Sequence, residues 1–100
     1  MTKSQLRLRV KPDRRDELLV ALDGLEVFAA VRDLPGFLGA SVLLPDDDAE
    51  EVLVEGSWAS VEHFERWRES SLRADWLRRL EPFLAAEPVA RVYHVVDSIG

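Results

Sequence analysis

Leu6-Arg7-Leu8-Arg9-Val10 alternates apolar and polar side chains, the period-two signature of a strand with two different faces. Lys11-Pro12-Asp13 ends it, and Asp13 with Asp16 marks a helix start. From Arg14 to about Leu34 the period lengthens, with Leu18, Leu22, Leu25, Ala29 and either Val31 or Arg32 recurring at helical spacing. Gly24 weakens that helix and Pro35-Gly36 stops it. Phe37 to Leu44 and Glu51 to Trp58 read as two strands joined by the acidic turn at Pro45–Glu50, hence a hairpin. Ser60 caps the next helix, whose inner stripe is Val61, Phe64 and Trp67 or Arg68. Ser70-Ser71 interrupts it. A further helix sets Leu72, Trp76, Leu80 and Phe83 on one side and Asp75, Arg78 and Arg79 toward water. Pro88 opens a last strand from Val89 to Val96.

The element order is therefore β-α-β-β-α-α-β across residues 1–100, one α+β domain with no linker or repeat. That order predicts a ferredoxin-like split βαβ, a four-stranded antiparallel sheet whose right-handed crossovers put the helices on one face. If Leu6, Leu8 and Val10 face the helices, Arg7 and Arg9 face away, joined by Glu55, Arg91 and Tyr93. Such a mixed face is either solvated or packed on a partner sheet, with Arg–Glu pairs fixing the register.

Composition narrows the function classes. Thirteen basic against nineteen acidic residues give a net charge of −6, which disfavours binding nucleic acid through its phosphates. The chain has no Cys, so it has no disulfide framework, thiolate metal site or thiol nucleophile. No stretch reaches the roughly 20 apolar residues that span a membrane, and the first residues lead directly into a strand; the expectation is a cytoplasmic protein. The Asp46-Asp47-Asp48 run lacks metal-loop spacing and reads as a solvated turn. No Gly-rich phosphate loop, Ser/His/Asp ordering or His/Glu metal spacing is present.

Three segments together carry a family resemblance: Arg9-Val10-Lys11-Pro12, then Leu34-Pro35-Gly36-Phe37, then Trp58-Ala59-Ser60 followed by Phe64, Trp67 and Ser70. In order and spacing the chain resembles the antibiotic-biosynthesis-monooxygenase domain over nearly its whole length. The resemblance implies a dimeric α/β barrel, two sheets packed face to face, with Arg7, Arg9, Glu55, Arg91 and Tyr93 at the homodimer interface. It also implies a ligand cavity between sheet and helices in each subunit. Chemistry differs across the family: some members oxidise phenols or hydroquinones with O₂ and no metal or flavin, others degrade haem. Fold membership alone selects none of these.

The haem-degrading branch needs an iron-ligating His about ten residues after Trp67, where this chain has Leu77. It also uses an Asn on the first strand, where the nearest candidate is Gln5 in the phase of Arg7. Both departures argue against haem. Phe37, Phe64, Trp67 and Trp76 are expected to line the cavity, and Gly56 to open room above the sheet; their plain alternatives are core packing and a β-bulge. His94, in phase with Val92 and Val96, is expected to be buried among apolar groups, either as a base toward a phenolic proton or as a core His bonded to a carbonyl. His63 is expected on an exposed helix flank. The leading expectation is an oxygenase of small phenolic, hydroquinone or polyketide-like aromatics without a bound cofactor or metal. Its alternatives are a dimeric domain that binds such a molecule without oxidising it, and a quinol oxidase-like enzyme of broad tolerance.

Overall fold

In the computed structural model, residues 1–24 and 27–100 are described, with the side chains of all but residues 23–28. The elements are β1 (Thr2–Arg9), α1 (Arg15–Gly24), α2 (Val27–Val31), β2 (Phe37–Leu43), β3 (Glu51–Trp58), α3 (Val61–Arg68), α4 (Ser71–Leu80), a 3₁₀ turn (Glu81–Phe83) and β4 (Val89–His94). The strands form one antiparallel sheet in the order β2-β3-β1-β4, so β1 and β3 are central and β2 and β4 are edges. This is the ferredoxin-like arrangement that the element order predicts.

The alternation in β1 decides which face the helices cover. Leu6, Leu8 and Val10 are buried, and Val52, Val54 and Trp58 join them from β3. Leu18, Leu22 and Val31 close over them from α1 and α2, with Phe64 from α3 and Trp76 and Leu80 from α4. Each aliphatic group so enclosed contributes roughly 1.5–3 kcal/mol relative to exposure.

Of the expected helix from Arg14 to about Leu34, the described residues give α1 and α2, and α2 ends at Val31. Ala29 and Arg32 of its expected stripe are exposed, and Leu25 lies outside the described residues. Asp13 does not start α1. It adopts a left-handed conformation (φ 63°) in the turn, and the first helical residue is Arg15. Serines delimit the later helices. Ser60 Oγ accepts the His63 N–H at the start of α3. Ser70 Oγ accepts the Arg73 N–H at the start of α4 and donates to the Trp67 carbonyl, which ties the two helices together. No helix among the described residues is long and apolar enough to cross a membrane.

Beyond Val10 the chain is laced to the segment after α4: Lys11 N–H donates to the Phe83 carbonyl at 2.9 Å and Ala85 N–H to the Arg9 carbonyl at 2.8 Å. Every residue of β4 is exposed. The helices shield the centre of the sheet and leave this edge strand open.

Candidate functional site

Between the helix-facing side of the sheet and α2, α3 and α4 lies a cavity. It is lined by Ser4 and Leu6 of β1, Val31, Phe37 and Ala40, Val54, Gly56 and Trp58 of β3, Phe64 and Trp67 of α3, and Arg73 and Trp76 of α4, with Gln5 and Ala90 at its border. About 50 Å³ of it is open to a water-sized sphere, and the whole crevice, mouth included, encloses about 540 Å³. The inner part thus has room for a few waters, whereas a dry cavity that admits benzene measures about 150 Å³. A ring entering here must extend into the mouth or displace a neighbouring side chain.

An aromatic chain builds the wall. Trp58 is buried at the end of β3, with the Phe37 ring edge-on at 5.3 Å and the Phe64 ring edge-on at 6.0 Å. The Trp67 ring stacks on Trp58 at 6.5 Å with 23° between planes, and Trp76 lies tilted against Trp67 at 6.1 Å. Edge and offset contacts of this kind contribute about 0.5–1.5 kcal/mol each beyond area burial. The four aromatic residues expected at the cavity are therefore brought together there.

Gly56 also lines the cavity, and no register shift occurs at it; the irregularity in the sheet lies between Phe37 and Gly39. A Cβ at Gly56 would fall 2.9 Å from Ser4 Oγ and 2.9 Å from Trp58 Nε1. Those two atoms share a hydrogen bond, the indole N–H donating to the hydroxyl at 3.1 Å. The missing side chain therefore seats the Trp58 indole as well as leaving space over the sheet.

His94 is not where its expected role requires. It pairs with the buried Thr2 and so faces the helix side, as the alternation predicts. But β4 is an uncovered edge, and His94 is exposed in a shallow depression with Thr2, Ser60 and Val61, outside the cavity lining. His63 is only partly exposed. Its Nδ1 lies 2.7 Å from Ser60 Oγ, and its ring covers Gly36, whose φ of +78° holds the turn into β2.

The open sheet face carries Arg7, Arg9, Glu55, Arg91 and Tyr93, as the register requires. Glu55 accepts from Gln5 Nε2 at 3.0 Å and from Lys3, Arg7 pairs with Glu51, and the Arg91 guanidinium lies 5.3 Å from the Tyr93 ring centroid. Arg9 donates through both terminal nitrogens to Asp48, which makes that residue an anchor of the acidic turn in addition to a solvated group. Among the described residues no group of three His, Asp or Glu side chains is placed to hold a metal ion. Leu77 carries no donor atom, so the residues do not fit haem at the position where the resemblance would put its ligand.

Trp58, Ser4 and Arg73 are among the lining residues that the sequence alone does not single out for the cavity. Trp58 and Ser4 share the parity of Val54 and Leu6, so strand alternation alone would have found them. Arg73 stands one helical turn before Trp76, and that i, i+3 relation is its signal. Its guanidinium is partly buried, and burial, with the Arg68 charge as a second cause, pulls its pKa below the ordinary arginine value.

The antibiotic biosynthesis monooxygenase family model matches residues 1–79. Comparison with curated protein sequences gives no match. Among solved structures, SnoaB of Streptomyces nogalater, described as a cofactor-independent oxygenase, superposes with a TM-score of 0.79 at 13% identity, covering 98% of this chain and 95% of that one. A Mycobacterium tuberculosis protein superposes with a TM-score of 0.80 at 17% identity, covering 99% and 98%. An anthrone oxidase-like protein gives 0.75 at 24% identity over 96% of this chain and 44% of its own. At these identities the superpositions establish the fold; the family model, which takes in the Pro-Gly-Phe turn, the Trp58–Ser70 run and most of α4, establishes the lineage. The chain belongs to the antibiotic biosynthesis monooxygenase family.

Proposed function

We propose that the protein is a cofactor-independent oxygenase of small phenolic or hydroquinone-type aromatics. The observation that carries this reading is the cavity walled by Trp58, Trp67, Trp76, Phe37 and Phe64, a shape and chemistry suited to a flat electron-rich ring. The similarity to a structure described as a cofactor-independent oxygenase and to one described as anthrone oxidase-like supports it. In this reaction the substrate loses a proton, and its anion passes one electron to O₂. The substrate radical and superoxide combine to form a C–O bond, and the resulting peroxide takes up a proton. For a substrate methylene, loss of water then leaves a carbonyl, so that CH₂ and O₂ become C=O and H₂O. The protein supplies orientation and exclusion of water, and the substrate supplies the electrons.

Among the described residues the lining contains no carboxylate or imidazole to act as a base toward the ligand. That suits substrates acidic enough to ionise without an internal base. The same observation favours a second reading, binding without oxidation. Oxygen uptake with anthrone and hydroquinone substrates, measured on metal-free protein against the spontaneous rate, separates the two. Uptake above that rate is expected; its absence with every substrate tested rejects the oxygenase and leaves the binding protein. His94→Ala is expected to leave uptake unchanged, and a tenfold fall would return the role of base to His94.

The working form is proposed to be a homodimer built on the open sheet face, where Leu53, Val89 and Tyr93 lie among Arg7, Glu55 and Arg91. Support comes from Val89, 57% exposed, and Tyr93, 39% exposed, on a face otherwise laced with ion pairs. Light scattering of the wild type should give twice the chain mass, and Leu53→Glu should give one; a monomeric wild type would overturn this assembly.

A further inference from the structure

We infer that the cavity is built for an aromatic ligand bearing an oxyanion, a carboxylate or an ionised hydroxyl, held by the guanidinium of Arg73. The inference deepens the reading of this cavity as the ligand site and rests on it. The arginines divide clearly. Arg7, Arg9, Arg14, Arg68 and Arg78 are each paired with a carboxylate, and Arg15 donates to the Asp48 carbonyl. Arg32, Arg66, Arg79 and Arg91 are exposed to water. Among the described residues only Arg73 is partly buried with no side-chain hydrogen bond or ion pair, and it is the one cation in the cavity lining.

A bare cation in that position is costly. It has lost part of its hydration, and the like charge of Arg68 acts on it as well. In a chain of net charge −6 it is not a by-product of surplus basic residues. An oxyanion on the ligand would replace the lost water with charge-assisted hydrogen bonds, and the planar guanidinium presents two parallel donors to a carboxylate. Trp67 and Trp76 line the same cavity, so one ligand can meet the cation and stack on indole at once. Among the described residues no acidic side chain in the lining opposes an anion. The Arg73 backbone is fixed at the first turn of α4, where its N–H donates to Ser70 Oγ.

The test compares 2-naphthoate with 2-naphthamide, two probes of nearly equal shape and different charge. Binding is followed under nitrogen by calorimetry and by the indole N–H signals of the three tryptophans. Wild-type protein should bind the carboxylate at least about tenfold more tightly, equivalent to about 1.4 kcal/mol. Arg73→Gln should remove that preference and Arg73→Lys should keep part of it, with circular dichroism verifying that both variants fold. Equal affinity for the two probes, a preference that survives in Arg73→Gln, or no binding of either probe would overturn the inference. A carboxylate preference without oxygen uptake rejects the oxygenase and leaves this inference standing. Uptake by neutral substrates without any carboxylate preference does the reverse.

Discussion

Replacing Gly56 with Ala adds one methyl group at the point where the sheet meets the aromatic wall. Gly56 has no left-handed φ, so backbone conformation does not require glycine there; space does. The new carbon would stand 2.9 Å from both Ser4 Oγ and Trp58 Nε1, too close for either. Trp58 is 2% exposed and packed against Phe37, Phe64 and Trp67, so it cannot retreat cheaply. Ser4 can rotate, but the indole N–H then loses its acceptor inside the core, at a cost of about 1–3 kcal/mol. If Ser4 stays, overpacking costs about the same. Ala also restricts the unfolded chain, which offsets about 0.4–1 kcal/mol. The net expectation is destabilisation by about 1–2 kcal/mol, seen in urea as a midpoint lowered by roughly 1 M with the slope unchanged. Ser4→Ala alone removes only the acceptor. In the double variant that loss is counted once, so the combined effect should fall short of the sum by about 1 kcal/mol. An unchanged or raised midpoint for Gly56→Ala, or strict additivity in the cycle, would refute the steric account.

Gly36→Ala should be more damaging, by about 2–4 kcal/mol in thermal unfolding, because left-handed backbone strain adds to overpacking. Here the Cβ would run into the His63 ring at Gly36 φ +78°. His63→Ala in the same chain should restore the packing part and not the backbone part; full restoration would show that φ contributes nothing. Ser70→Ala should cost about 1 kcal/mol or somewhat more, since one hydroxyl both caps α4 and holds the Trp67 carbonyl. Ser60→Ala, measured beside it by denaturant unfolding, is the comparison for a cap at the start of α3, and equal losses would argue against the tie between the helices.

Local alternation made the sheet legible. Leu6, Leu8 and Val10 named the buried face of β1, and the same parity located Arg7 and Arg9 on the other. Alternation says which face a residue is on, but not whether anything lies above it. That is why His94 was placed on the correct side of β4 and wrongly expected to be buried: the covering helices stop short of the edge strand. The helical period likewise found Leu18, Leu22 and Val31, although a continuous stripe through Ala29 was expected and Ala29 is exposed. At the cavity the aromatic residues stood out because their size and spacing are unusual. Arg73 did not, because a charged residue on a short helix is ordinarily a solvated one. Only the rotation of α4, set by the burial of Trp76 and Leu80, turns Arg73 toward the lining.

The central position of β1 has a kinetic consequence. Its partners are β3, half a chain away, and β4, nearly a whole chain away, so neither ladder closes through a short loop. The hairpin of β2 and β3 is the local unit; β1 must find it across α1 and α2, and β4 must reach the far side of β1. During synthesis β1 keeps one unpaired edge until β4 emerges, a period in which Leu6 and Leu8 are open to wrong contacts. Once β4 arrives, the Val95 N–H bonds to the Met1 carbonyl at 3.0 Å, bringing the first residue beside the last strand. Joining the chain there with a short linker and reopening it in the β2–β3 turn would change the order in which these contacts form while leaving every strand its neighbour, and refolding of such a permutant would report which pairing limits the rate.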